Sequence, residues 1–116
     1  MPSFDEYNWV TSISSGDRVY RGMLRSELYG WIQQSKVPKG KSFSPQLFWA
    51  AQYADMYSRK GPVVLIGIKV EDSKEWTFEP SLGCGPSEVR CLVDLELGAV
   101  QLYDHDDVLN RLSHPF

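Results

Sequence analysis

The chain has 116 residues, 42% of them hydrophobic, and it includes four Trp, six Tyr and five Phe. This length and composition predict a single packed domain over residues 1–116 and exclude a disordered chain. The formal charge of −3 argues against broad binding to nucleic acid or to an anionic membrane surface. No apolar run approaches the roughly 20 residues of a transmembrane helix, so no membrane partner is expected.

The N-terminus lacks the basic and then apolar order of a signal peptide. We therefore expect a cytoplasmic protein, or one secreted as an effector without a cleavable signal peptide. Cys84 and Cys91 do not have the spacing of a metal motif, and the two imidazoles are those of His105 and His114, so no metal site is expected. A disulfide between the two cysteines and a pair of reduced thiols both stay open, the second being typical of a cytosolic chain.

The first third of the chain predicts an arm, a strand and a helix. Residues 1–16 are polar and mixed and form an N-terminal arm that ends in a turn. Residues 17–22 predict a short strand, and residues 24–34 predict a helix. The apolar face of this helix is expected to comprise Leu24, Leu28, Trp31 and Ile32, which recur at helical spacing.

A second helix is predicted in the middle of the chain. It follows a loop over residues 35–40 and an extended segment over residues 41–44. Ser44 and Pro45 are the residue types that favour the N-cap and the first helical position. Its buried face is expected to comprise Leu47, Ala50, Ala51, Ala54 and Tyr57. The alanines predict a close approach to a sheet.

The second half is rich in strands. Residues 63–70 carry apolar side chains on both faces, which predicts a central strand covered on both sides. Further strands are predicted over residues 75–78, 88–94 and 99–103, and a final helix over residues 104–112. Consecutive strands with short turns cannot form a doubly wound sheet, so the class is α+β.

Polar residues lie at the ends of three predicted strands. Arg21 and Gly22 end the first strand, Ser42 precedes the second helix, and Glu88 begins a late strand. A guanidinium pairs with phosphate through two planar contacts and keeps its charge. A carboxylate can stabilise a ribosyl cation, as it does in glycoside hydrolysis. Taken singly, each residue also fits a solvated position at the end of a strand or in a loop.

In this order, residues 19–22 (VYRG), 42–45 (SFSP) and 87–89 (SEV) resemble the three motifs of the arginine-serine-glutamate, cholera-toxin-like mono-ADP-ribosyltransferases. The resemblance covers about residues 17–102. It implies a split β-sandwich of two small sheets flanked by helices, in a small monomeric member of the family. It also implies NAD as co-substrate, release of nicotinamide, and transfer of ADP-ribose to a macromolecular acceptor, most simply a protein.

The resemblance also assigns roles. Arg21 would bind NAD, Ser42 would hold the ribose or the glutamate, and Glu88 would be the catalytic carboxylate. The backbone of Gly22 would pair with the nicotinamide carboxamide. The implied cofactor-binding set is Arg21, Gly22, Ser42, Phe43 and Ser44. Within this set Ser44 is also the expected helix cap, and the Phe43 side chain is expected to point to the other side and pack.

One position departs from the family pattern. Members that modify arginine carry Glu or Gln two residues before the catalytic glutamate, whereas this chain has Pro86 there. Arginine is therefore not the expected acceptor. An NAD glycohydrolase and a catalytically degenerate binding module stay open as alternatives, the latter using an aromatic surface drawn from Trp9, Trp31, Trp49 and Trp76. Four other acids compete with Glu88 for its role: Glu75, Glu79, Asp94 and Glu96.

Overall fold

A computed structural model describes residues 12–79, 87–104 and 107–108. The elements follow in the order β1 (Arg18–Leu24), α1 (Arg25–Gln34), β2 (Lys36–Val37), β3 (Ser42–Phe43), α2 (Leu47–Tyr57), β4 (Val63–Lys69), β5 (Trp76–Glu79), β6 (Glu88–Cys91), β7 (Leu95–Glu96) and β8 (Val100–Tyr103). Two helices thus combine with small antiparallel sheets, which confirms the α+β class predicted from the sequence.

The described strands form three antiparallel sheets. The first has the order β1-β4-β8, the second β3-β6-β5, and the third consists of β2 and β7. An isolated bridge joins the first sheet to the second: the Tyr20 amide donates to the Ser44 carbonyl at 2.8 Å, and the Ser44 amide donates to the Tyr20 carbonyl at 2.7 Å. The backbones next to Arg21 and Ser42 therefore run side by side.

The main core draws side chains from α1 and from all three sheets. Its buried members are Val19, Met23, Leu28, Trp31, Val37, Phe43, Ile66, Ile68, Val70, Trp76, Val89 and Cys91. Full burial of one large apolar side chain stabilises a fold by about 1.5–3 kcal/mol. This cluster therefore supplies the driving force that holds the sheets and α1 together.

Helix α2 packs on the other face of the first sheet. Its alanines Ala50, Ala51 and Ala54 are fully buried. A Cβ atom on Gly22 of β1 would overlap the Ala50 carbonyl oxygen and lie 2.5 Å from the Ala54 amide nitrogen. The helix thus rests on the bare backbone of β1, and the close approach predicted from the alanines is confirmed.

Strand β4 is the middle strand of the first sheet. Ile66 and Ile68 join the main core, whereas Leu65 packs with α2 on the opposite face. The prediction of a central strand covered on both sides is confirmed.

The predicted start of α2 is wrong. The helix begins at Leu47, with Gln46 at the N-cap position. Ser44 instead continues the extended chain, because its amide and carbonyl pair with Tyr20. Its hydroxyl donates to the Gln46 carbonyl at 2.9 Å and accepts from the Gln46 amide at 3.1 Å. The bridge between the sheets thus takes precedence over the Ser-Pro helix signal.

Other differences are smaller. Ile32 was expected on the apolar face of α1 but is half exposed, and the buried residues of this helix are Leu28 and Trp31. The predicted loop over residues 35–40 contains β2, which pairs with β7. At the start of the predicted final helix, the Asp107 amide donates to the Asp104 carboxylate at 3.1 Å. Beyond residues 107–108 this helix lies outside the described residues, as do residues 1–11 of the predicted arm.

Candidate functional site

A cavity of about 320 Å³ lies where the first and second sheets meet. The residues that border it come from β1, β3, α2 and the start of β6: Tyr20, Arg21, Gly22, Ser42, Phe43, Ser44, Tyr53, Tyr57, Ser87 and Glu88. The structure therefore brings all the site residues named from the sequence to one cavity, although they are separated by up to 67 positions (88 − 21) in the chain.

Backbone pairing explains this convergence. The Tyr20–Ser44 bridge places the end of β3 beside β1. Strand β3 in turn pairs with β6, with Phe43 opposite Val89. Two steps of antiparallel pairing thus carry Arg21, Ser42 and Glu88 to the same place. The strands are short, so the geometry depends on the pairing rather than on strand length.

Arg21 is partly buried and held in one orientation. Its Nε and Nη2 atoms donate to Oε1 of Glu27 at 3.1 and 2.7 Å, and its Nη1 atom donates to the Ser42 carbonyl at 2.8 Å. The ring of Trp31 lies 6.0 Å from the guanidinium carbon. A guanidinium has five N–H donors. Three are engaged here, and one N–H remains on each terminal nitrogen for a ligand.

The two serines differ in what their hydroxyls do. Ser44 is buried, and its hydroxyl is committed to the backbone of Gln46. Ser42 uses its carbonyl to hold Arg21, and its side chain is free of that task. Ser42 is therefore the serine suited to contact a ligand, and Ser44 shapes the wall.

Phe43 and Gly22 both serve packing. The Phe43 ring lies in the main core, edge-on to Trp76 at 5.4 Å between centroids. The main chain of Phe43, rather than its ring, therefore suits a ligand contact. Gly22 leaves room for α2 at Ala50 and Ala54. Its lack of a side chain is required by the helix, whether or not a ligand approaches its backbone.

Glu88 is less constrained than Arg21. Its side chain is 40% exposed, and its Oε1 atom lies 3.7 Å from Nη2 of Arg90. Arg90 also donates to the Gly40 carbonyl at 3.0 Å and lies 3.9 Å from the Glu79 carboxylate. The ion pair is exposed to solvent, which screens it. The Glu88 carboxylate is thus available to a ligand in the cavity.

None of the four competing acids is among the described residues that border this cavity. Glu79 lies directly opposite Glu88 across β5 and β6. Asp94 accepts from the Lys39 amide at 2.9 Å and from the Lys36 ammonium at 3.0 Å. These two contacts, the backbone one first, lower the pKa of Asp94. Asp94 thereby fastens the loop that leads into β3, which is a structural role.

Comparison with known proteins adds no relative. No protein-family model, curated protein or solved structure matches this chain. The interpretation of the cavity therefore depends on its own geometry.

Three residues at the site lie outside the three sequence motifs and were given no role in it. Glu27 in the first turn of α1 holds Arg21, but a glutamate near the start of a helix is commonplace. Tyr53 and Tyr57 lie one turn apart on α2 and border the cavity with partly exposed rings. Their four-residue spacing indicates a shared face. Tyr57 was expected on the buried face of this helix but is 37% exposed, so that expectation is wrong.

Within the described ranges, no group of three or more His, Cys, Asp or Glu side chains is placed to hold a metal ion. No helix in this part of the chain is long and apolar enough to cross a bilayer. Cys91 is a buried free thiol, 3.4 Å from the Pro38 carbonyl. Cys84, Pro86, His105 and His114 lie outside the described residues.

Proposed function

We propose that this protein is an NAD-dependent mono-ADP-ribosyltransferase with the split-sandwich arrangement of that superfamily. It would cleave the bond between nicotinamide and ribose and transfer ADP-ribose to a macromolecular acceptor, most simply a protein. The observation that carries the proposal is that Arg21, Ser42 and Glu88, from three different strands, border one cavity. Guanidinium, hydroxyl and carboxylate are the groups that this reaction needs together.

The cavity suits one half of NAD. Small-molecule sites have volumes of about 300–1,000 Å³. A cavity of about 320 Å³ would hold the nicotinamide and its ribose. The diphosphate would then lie at Arg21, whose two remaining N–H donors can contact phosphate oxygens. The adenosine would extend beyond the cavity.

The proposed reaction places each group at a point of changing charge. The bond between C1′ of the ribose and the nicotinamide nitrogen breaks, and its electron pair leaves with nicotinamide. Glu88 would stabilise the oxocarbenium ion and accept a hydrogen bond from the ribose 2′-hydroxyl. Ser42 would orient the ribose. The acceptor nucleophile then bonds to C1′ and loses its proton.

The tyrosines of α2 supply the apolar part of the cavity. Tyr53 and Tyr57 border it together with the polar side chains of Arg21, Ser42 and Glu88. Aromatic rings exclude water while their hydroxyls stay solvated. In the proposed reaction they would shield the ribosyl cation from premature hydrolysis.

A second candidate, NAD glycohydrolase, is favoured by one observation. The Glu88 side chain is 40% exposed, so water can reach the group that would stabilise the cation. The same cavity would then cleave NAD with water as the acceptor.

One assay tests both candidates. The purified protein is incubated with a cell lysate and NAD labelled in the adenylate phosphate, and both labelled macromolecules and free nicotinamide are measured. Label transfer supports the transferase. Nicotinamide release without transfer supports the glycohydrolase. If neither product forms above the level of a heat-denatured sample, both proposals are wrong.

A further inference from the structure

Glu27 contacts Arg21 through a single carboxylate oxygen. Oε1 accepts from Nη2 at 2.7 Å and from Nε at 3.1 Å. The side chains are 20% exposed for Arg21 and 29% for Glu27, so this pair is more shielded than a typical surface ion pair. Charge-assisted hydrogen bonds of this length are about twice as strong as neutral ones.

The pair fixes which part of the guanidinium faces the cavity. Glu27 occupies the edge formed by Nε and Nη2, and the Ser42 carbonyl takes one donor of Nη1. The donors that remain are one on each terminal nitrogen. Without Glu27, the Arg21 side chain could rotate about its flexible stem and present other donors. A ligand would then have to restrict this motion as it binds.

The charge of Glu27 does not cancel the positive charge around Arg21. Lys41 lies 3.9 Å from the same Oε1 atom. Two cations and one carboxylate leave a formal charge of +1 in this cluster of Arg21, Lys41 and Glu27. An anion at Arg21 therefore meets a local cluster of formal charge +1, while the Glu88 carboxylate lies elsewhere on the same cavity.

We infer that Glu27 is a positioning residue, which holds Arg21 ready for the diphosphate of NAD and does not itself contact the ligand. Among the described residues that border the cavity, Arg21 is present and Glu27 is not. The inference rests on the proposed function, because it needs NAD as the ligand. It gives α1 a role in ligand binding, although α1 contains none of the three sequence motifs.

Two substitutions separate positioning from competition. Glu27→Gln keeps an oxygen acceptor and the shape of the side chain but removes its charge. Glu27→Ala removes both. Positioning predicts that E27A raises the NAD dissociation constant about tenfold, the equivalent of one net hydrogen bond, whereas E27Q changes it by less than about threefold. If Glu27 competed with the ligand for Arg21, both variants would bind NAD more tightly.

The experiment is a double-mutant cycle measured by calorimetry with NAD. It uses the wild type, E27A, Arg21→Met and the double variant, with Glu71→Ala as a control that removes one exposed acid away from the cavity. If Glu27 acts through Arg21, E27A has no further effect once Arg21 is replaced. Should E27A lose its cooperative melting transition, Glu27→Met takes its place, because Met keeps the length and the helix propensity.

The outcomes distinguish the inference from the proposed function. Weaker binding by E27A that disappears in the Arg21→Met background supports positioning. An equal penalty in both backgrounds shows a merely structural role and overturns the inference. So does unchanged or tighter binding by E27A while Arg21→Met weakens binding. If the wild type does not bind NAD, or if Arg21→Met binds it equally well, the proposed function itself fails.

Discussion

Arg21 and Glu88 border the same cavity, but the protein holds them in different ways. Arg21 makes hydrogen bonds of 2.7–3.1 Å to α1 and β3 and is 20% exposed. Glu88 is 40% exposed, and the Arg90 guanidinium lies 3.7 Å away. One end of the cavity is organised before a ligand arrives, whereas the other is solvated. A preorganised cation favours binding, and a solvated carboxylate becomes effective once a ligand displaces water.

The difference implies that binding and chemistry can be separated by mutation. Substitutions at the Arg21 end should change the NAD dissociation constant, and substitutions at the Glu88 end should change the turnover.

The largest effect is expected at Glu88. Glu88→Gln is nearly isosteric and removes the charge, so it should lower the rate of NAD cleavage by at least ~100-fold, the scale of loss when one charge-stabilising group is removed from an active site. The NAD dissociation constant should stay within about threefold of the wild type, since Arg21 is unchanged. Turnover and calorimetry measure the two quantities.

Glu79→Gln is the matched control. Glu79 lies opposite Glu88 across β5 and β6, but it is not among the described residues that border the cavity. Near wild-type turnover by E88Q, or an equal loss in E79Q, would falsify the assignment of Glu88.

A change in packing tests how closely α2 rests on β1, the strand that carries Arg21. Gly22→Ala forces a Cβ atom into the backbone of α2 at Ala50 and Ala54. Overpacking of this kind typically costs about 1–3 kcal/mol, and we expect the upper end because backbone cannot move aside easily. Chemical denaturation measures the free energy of unfolding.

Gly30→Ala on α1 is the control, since nothing lies within 4 Å of a Cβ atom there. It should stabilise the protein by up to ~1 kcal/mol through helix propensity. Equal stability of G22A and wild type would mean that α2 does not rest on β1 as closely as described.

A smaller effect is expected from Arg21→Lys. The charge is kept, but an ammonium cannot make the planar two-point contact with phosphate or the paired bonds to Glu27. NAD binding should weaken by roughly tenfold, the loss of about one hydrogen bond, with turnover at saturating NAD less affected. Arg18→Lys on the same strand serves as the control, because Arg18 donates to Gln101 on β8 and is not among the described residues that border the cavity. An unchanged dissociation constant for R21K would return Arg21 to a structural role.

The smallest effect concerns Asp94, which lies away from both ends of the cavity. Its contacts with Lys39 and Lys36 lower the pKa of its carboxyl in the folded state. The stabilisation is therefore present above the ordinary pKa of an aspartate and is lost as the pH falls through the folded value. Asp94→Asn should melt slightly below the wild type at pH 7, and the difference should shrink towards pH 3. A difference that grows on acidification would contradict this linkage.

Much of the framework was predictable because long apolar patterns determine it. Strand β4 shows apolar side chains on both faces, and α1 shows Leu28 and Trp31 one turn apart. The two-residue strands β2 and β7 are too short to show any period. They form because their backbones meet in the folded chain. Such pairing between distant segments cannot be read from the local sequence of either strand.

Part of the site was also predictable from local sequence patterns. Ser42 and Glu88 begin strands β3 and β6, as predicted. Arg21 lies inside β1, which continues to Leu24, so the predicted strand end at Gly22 is wrong. Glu27 could not be found in this way, because its role depends on where α1 lies relative to β1. The start of α2 was mispredicted because Ser44 is a good capping residue that the fold uses for strand pairing instead.

The main-chain bridge between Tyr20 and Ser44 fixes the spacing of the cavity walls, whereas the side chains that border the cavity determine its chemistry. Two main-chain hydrogen bonds of 2.8 and 2.7 Å hold the walls at Arg21 and Ser42 together. Such bonds do not depend on side-chain identity. Replacing Tyr53 or Tyr57 would therefore alter the polarity of the cavity while the spacing between the walls at Arg21 and Ser42 stays constant. The main-chain frame and the chemistry of the cavity can therefore be changed independently.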